Sequence, residues 1–204
     1  MAPAEEPGLR ERKKRETRVA LSQAAIRLCV LHGWPNVTVD RIAAEANVSV
    51  RTFRNYFSGK AEAIAASHVE RMHRVADELL ARPAGEPLWD ALLHAVLSQF
   101  APPEGAAPQE ERWREGVRLM LAEPALAGEI VKANAAAQQE LVAAVARRTG
   151  TDPERDVYPK LVAAVVAAGS ATAVEHGLRA PEPVPLGAVL TEVFDRLAAG
   201  LPVP

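Results

Sequence analysis

The chain has 204 residues, 49% of them apolar, and a formal net charge of -2 at pH 7, which is enough material for one large domain or two small ones around a packed core. Aromatic residues make up only 4% and strand-type alternation is scarce, so the expected fold class is all-α. The opening MAPAEEPGLRERKKRE has no apolar segment of the secretory kind, no apolar run approaches the roughly 20 residues of a membrane span, and the single Cys29 excludes an intramolecular disulfide framework and suits a reducing cytoplasm.

Residues 1–8 read as a disordered leader, being polar and Pro/Gly-bearing without periodicity. The first helix is expected over residues 9–32, on the helical spacing of Leu21, Ala24, Ala25, Leu28 and Leu31, with Gly33 as its stop. Its first turns carry RERKKRETR, six basic residues in nine positions. A second short helix follows a Thr38 cap and turns Ile42, Ala43 and Ala46 inward; Asn47 stands at the turn, where Asn tolerates the left-handed conformation. Ser49 caps a third helix whose core side holds Phe53 and Phe57 at i, i+4.

A fourth helix is expected from Ser58–Lys60 to about Ala81, with Ile64, Val69, Met72, Val75, Ala76 and Leu79 apolar. Proline then punctuates the chain, leaving helices near 87–100, 109–122, 124–148, 158–178 and 186–199. Gly150, Asp152 and Pro153 form a stop-then-start signal. The last two helices are unusual. Leu161 to Ala168 is uninterruptedly apolar, and Leu186, Val189, Leu190, Val193, Phe194 and Leu197 form a stripe. Such a pair is either a self-association surface or an ordinary intramolecular core, and periodicity does not separate the two.

The function-bearing stretch is Thr38 to Lys60, a helix-turn-helix directly behind a basic run. Residues 1–60 hold 11 Lys/Arg against 6 Asp/Glu, while residues 61–204 hold 13 against 20, so a basic head sits on an acidic body and a polyanion partner is expected for the head. On the third helix Val50, Arg51, Arg54 and Asn55 are left facing outward, with Thr52 and Tyr56 at the edges. Arg can bond guanine bidentately and Asn adenine, while Thr38, Tyr56, Lys60 and the helix-start N–H groups, Ser49's among them, can reach phosphate oxygens. Arg12, Lys13 and Lys14 would meet the DNA backbone or the neighbouring minor groove.

No nucleophile–base signature is present, and neither a catalytic site nor a cofactor is expected. His73 and Asp77 lie at i, i+4, but two ligands make no metal site. Met72, Trp89, Phe100, Trp113 and Met120 are candidates to line a ligand cavity between helices, or are simply core.

The chain resembles the tetracycline-repressor (TetR) family of bacterial regulators through Ala24-Ala25, Leu28, Gly33-Trp34, Thr38-Val39, Ile42-Ala43, Ala46, Val48-Ser49, Thr52-Phe53, Tyr56-Phe57 and Lys60. The resemblance covers about a quarter of the chain. It implies a three-helix DNA-binding head (residues 9–59) and a ligand-binding and dimerisation body (residues 60–204). It further implies a homodimer on a palindromic operator and a small-molecule inducer. DNA contacts would then fall at Thr38, Val50, Arg51, Thr52, Arg54, Asn55, Tyr56 and Lys60. The dimer would be built on the last two helices, through Leu161, Val165, Val166, Gly169, Ala173, Val189, Val193, Phe194 and Leu197. Asn47 stands where the family usually has glycine, and Arg54 where an aromatic is common. The segment from Glu123 to Ala164 is similar to a subgroup whose C-terminal domain binds acyl-CoA-like ligands. The expected function is a ligand-responsive repressor; the alternatives are a helical small-molecule-binding protein that does not read DNA and, more distantly, an all-helical enzyme.

Overall fold

A computed structural model of the chain describes residues 8–100, 110–180, 182 and 184–201, with the side chains of residues 110–113 left undescribed. The leader and the break at residues 101–108 therefore lie outside the described residues, apart from Gly8. Among the described residues there are nine α-helices, one 3-10 turn and no strand: α1 (Leu9–His32), the turn Trp34–Asn36, α2 (Val39–Glu45), α3 (Val50–Arg54), α4 (Lys60–Ala81), α5 (Leu88–Phe100), α6 (Glu110–Leu121), α7 (Pro124–Thr149), α8 (Val157–Arg179) and α9 (Leu186–Ala198). The all-α expectation holds.

The helix ends follow local chemistry. Gly33 closes α1 at φ 78°, a conformation that favours glycine. Asn47, at φ 54°, closes α2 in a Schellman arrangement: its N–H donates to Ala44 O at 3.0 Å and that of Val48 to Ala43 O at 2.9 Å. Gly150 closes α7 in the same way at φ 70°, with Thr151 N–H on Ala146 O at 3.1 Å. The expected start at Asp152-Pro153 is corrected. Asp152 organises a single turn, accepting from Glu154 N–H at 2.8 Å, and α8 begins at Val157 after an Asp156 cap.

Packing divides the chain into two units, residues 1–67 with 116–130, and residues 68–115 with 131–204. In the first unit the core is built from Leu21, Ala24, Ala25, Leu28, Val30, Ile42, Ala43, Phe53, Phe57 and the early α4 residues Ala63 to Ala66. The packing boundary thus falls about two turns beyond the start of α4, because those turns are buried with the head. Leu31, expected inside, is 38% exposed, while Cys29 and Val30 point inward. Val30 is covered by the late part of α6: a Cβ on Gly116 would lie 2.4 Å from Val30 O. Only glycine permits that approach of two backbones.

The second unit packs α4, α5, α7, α8 and α9 around Met72, Val75, Leu79, Leu92, Val96, Leu141, Val145, Val162, Val166, Leu190 and Phe194. Arg148, near the end of α7, fastens this unit. Its Nη1 donates to Leu79 O (3.1 Å) and Arg82 O (3.2 Å), and its Nη2 to Pro83 O (2.8 Å) and Glu86 O (2.9 Å). Four carbonyls at the frayed end of α4 and in the loop after it are satisfied by one guanidinium. Beside them Glu86 takes both Arg82 Nε (2.7 Å) and Nη2 (2.6 Å), a bond that holds its carboxyl below the ordinary value. Replacing Arg148 with alanine is expected to cost about 2–3 kcal/mol, readable as a lower urea midpoint at unchanged m-value.

Helix α8 is apolar on both of its faces. By length and a mean hydropathy of 1.5 it is apolar enough to cross a membrane, and only 33% of its apolar window is buried within the chain. One face, Val162, Ala163, Val166, Ser170 and Ala173, is seated in the core. The other, Val157, Leu161, Ala164, Ala168 and Ala171, is small and apolar yet exposed.

Candidate nucleic-acid interface

The head presents α3 by capping and by a two-ring anchor. Thr38 Oγ1 accepts from Arg41 N–H at 3.3 Å and starts α2; Ser49 Oγ accepts from Thr52 N–H at 3.0 Å and shares a hydroxyl bond of 2.9 Å with Thr52. Phe53 and Phe57 are buried with ring centroids 5.8 Å apart, which fixes the rotation of α3 about its axis. That rotation leaves Arg51, Arg54 and Asn55 exposed, with Val50, Thr52 and Tyr56 at the margins, as the helical spacing requires. Among the described residues no carboxylate pairs with Arg51 or Arg54, so both guanidinium groups are available to a partner.

Helix α1 adds charge. Arg10, Arg12, Lys13 and Lys14 are all exposed, and Arg12 has only a loose 3.9 Å pairing with Glu16. Arg18 differs from its neighbours, since its guanidinium lies 4.9 Å over the Phe57 ring and braces the head core. Arg27 bridges α1 to α2 through Glu45.

Lys60, a candidate phosphate contact, is engaged inside the head. Its ammonium donates to the carbonyls of Trp34 and Val37, the latter at 2.9 Å, and sits 4.4 Å over the Trp34 ring. Two of its three N–H groups are used to pin the loop between α1 and α2 against the start of α4. Ser58 and Glu62 complete that start, Glu62 Oε2 accepting from both the N–H and the hydroxyl of Ser58 at 2.7 Å.

The other predicted sites are rearranged. Of the cavity candidates, Met72 is buried in the body core, Trp89 packs edge-on against Phe194 at 6.5 Å, and Phe100 lies beneath the Arg71 guanidinium at 4.6 Å. Met120 belongs instead to the unit that holds the head, and the Trp113 side chain lies outside the described residues. Of the dimer candidates, Val166, Ala173, Val189 and Phe194 are buried in the protomer's own core. Gly169 lets α9 approach: a Cβ there would lie 3.0 Å from Leu197 Cδ1 and 3.1 Å from Val193 Cγ1 of the same chain. Val165 is half-buried, and only Leu161 of the nine is well exposed. Inward and outward faces of α8 are both apolar, so spacing could not tell them apart.

His94 lies 3.2 Å from Glu86 and 2.8 Å from Asp90 O, and His73 faces Glu140 at 3.9 Å.

Comparison with known proteins places both units. Residues 21–66 match the family model described as "Bacterial regulatory proteins, tetR family", and residues 86–202 match "MftR C-terminal domain". The HTH-type transcriptional regulator TcmR of Streptomyces glaucescens is 32% identical over 180 residues, covering 85% of this chain and 79% of that protein. The mycofactocin biosynthesis transcriptional regulator MftR of Mycobacterium tuberculosis is 31% identical over 194 residues, covering 93% of each. Among solved structures, a TetR-family regulator of Syntrophomonas wolfei superposes with a TM-score of 0.60 at 17% identity, over 93% of this chain and 98% of that one. A SmeT–triclosan complex superposes with a TM-score of 0.55 at 21% identity, over 93% and 98%. These likenesses share the helical fold.

Proposed function

The chain belongs to the TetR family of bacterial transcriptional regulators, and from that premise we propose that it is a ligand-responsive repressor acting in the cytoplasm as a homodimer on a palindromic operator. The observation that carries the reading is the outward face of α3, where Arg51, Arg54 and Asn55 stand exposed behind the basic first turns of α1. A helix of that character enters the major groove, while Arg12, Lys13 and Lys14 follow phosphates or the adjacent minor groove. Thr38 and Ser49 serve as caps and leave helix-start N–H groups for phosphate; Thr52 and Tyr56 border the contact, and Val50 offers a methyl surface to a thymine. Lys60 supports the head from within.

The dimer is assigned to the exposed face of α8, Val157, Leu161, Ala164, Ala168 and Ala171, together with the outer side of α9. An apolar stripe of small residues lets a second copy of the helix approach closely, and a two-fold axis makes the same patch serve both partners. Two heads held this way would read grooves about 34–36 Å apart.

The body is the ligand-binding part. Helix α4 is the lever, since it begins among head residues and ends where Arg148 fastens it. A ligand releases DNA only to the extent that it prefers the state with the wrong head spacing. The inducer is read as a small hydrophobic or acyl-CoA-like molecule.

Titration of the chain's own promoter region against random DNA tests the reading. Arg51→Ala is expected to weaken operator binding by about 1–3 kcal/mol and to relax specificity at one base step. Equal loss on both DNAs would make Arg51 a phosphate contact only. Binding of the wild type without steep salt dependence would favour a small-molecule-binding protein that does not read DNA.

A further inference from the structure

The turn between α1 and α2 is held by two cations directed at its carbonyls. Lys60, the first residue of α4, donates to Trp34 O and, at 2.9 Å, to Val37 O, and lies 4.4 Å over the Trp34 ring. Arg41 of α2 donates from Nη1 to Asn36 O at 2.8 Å. Asn36 closes the knot, its Nδ2 donating to His32 O at 2.9 Å and its N–H to Gly33 O at 3.2 Å. The carbonyls of His32, Gly33, Trp34, Asn36 and Val37 therefore all have donors, in a stretch too short to satisfy them by a helix of its own.

Lys60 is an awkward choice for that place. A cation at the first residue of a helix is opposed by the macrodipole, and drawing an ammonium part-way out of water adds a further cost. The two carbonyls and the ring face offset both. The charge also reaches the buried Cys29 thiol of α1, where it opposes the upward push of burial. The ammonium is directed at the inside of the head. What the turn controls is an angle. It joins α1, which carries Arg12, Lys13 and Lys14, to α2 and α3, the latter carrying Arg51 and Arg54 with Asn55 at its end. A second tie between α1 and α2, Arg27 with Glu45, is an exposed pair and weak. The Val37 carbonyl belongs to the peptide that leads into the Thr38 cap, so holding it fixes where α2 starts. A groove-reading helix works only if its neighbouring backbone contacts fall on phosphates at the same time.

We infer that Lys60 is a positioning residue for DNA reading: it sets α1 against the α2–α3 pair through Trp34 and Val37 and makes no contact with DNA itself. This rests on the reading of the head as a DNA reader, and it gives Lys60 a part in sequence choice although it touches no base.

Titration of full-length wild type and Lys60→Met on the chain's own promoter region and on random DNA tests this. The titrations span a range of salt concentrations, at a temperature where circular dichroism shows both proteins folded. The operator-to-random affinity ratio should fall about tenfold or more in Lys60→Met, with the slope of log K against log salt kept at its wild-type value. A lost phosphate contact would instead shrink that slope by about 0.9 per protomer and weaken both DNAs equally, which overturns the assignment. An unchanged ratio with only a lower melting temperature makes Lys60 merely structural and overturns it too. With 5-fluorotryptophan incorporated, the Trp34 fluorine resonance should move in free Lys60→Met while those of Trp89 and Trp113 stay. A stationary Trp34 resonance means that the ammonium does not lie on that ring, and it removes the clamp. Lys60→Gln, shorter and uncharged, serves with the same outcomes if the Met variant does not fold. The wild-type titration by itself reports on whether the chain reads DNA, separately from the comparison of variants.

Discussion

Replacing Phe57 with alanine will remove about 3–5 kcal/mol of stability and with it operator binding. The ring is 1% exposed, is stacked at a tilt on Phe53 and is covered by the Arg18 guanidinium. The cavity opens in a small core, where few neighbours can collapse inward, and a single domain has only about 5–15 kcal/mol to lose. The loss also frees α3 to rotate, since Phe53 and Phe57 together set which residues face outward. Urea denaturation should show a lower midpoint, and DNA binding should fall even at temperatures where the variant is still folded. An unchanged midpoint would show that the ring is not a core residue and that the outward set Arg51, Arg54 and Asn55 is misassigned.

Ala168→Glu is expected to separate the protomers of the proposed dimer. Ala168 is exposed on α8, between Ala164 and Ala171, so glutamate there costs a single chain only a few tenths of a kcal/mol in helix propensity. A two-fold interface receives the charge twice, and each buried unpaired carboxylate costs several kcal/mol. Sedimentation should therefore report a folded monomer. Operator affinity should fall by about 100-fold or more, because one head alone reads half of a palindrome. A persisting dimer would remove this stripe from the interface and turn attention to the exposed side of α9.

The head was legible because its rules are local. Thr38 and Ser49 lie one residue before their helices, Asn47 takes the left-handed turn its side chain tolerates, and Phe53 and Phe57 are one turn apart. What the sequence concealed depends on contacts far along the chain. Lys60 bonds carbonyls 26 and 23 residues behind it, and Arg148 reaches back 62 to 69 residues. No spacing rule links such partners. The α8 faces were hidden for another reason: apolar residues line both sides, so only the packed structure separates Val166 and Ala173 within from Leu161 and Ala168 without. The candidate cavity likewise mixed Met72, Trp89 and Phe100 with Met120, which packs in the other unit, since apolar character alone does not say which core a side chain joins.

Gly116 sits where a methyl group would strike the carbonyl of Val30. At most helix crossings side chains act as compliant spacers that absorb small displacements by changing rotamer. Here main chain rests on main chain, so the end of the DNA-binding domain's first helix and the second half of α6 are coupled without slack. A displacement of α6 along its axis has no soft torsion in which to dissipate, and α1 must follow it or part from it. The absence of a single carbon thus makes this crossing a stiff contact, and any side chain at position 116 would force the two backbones apart.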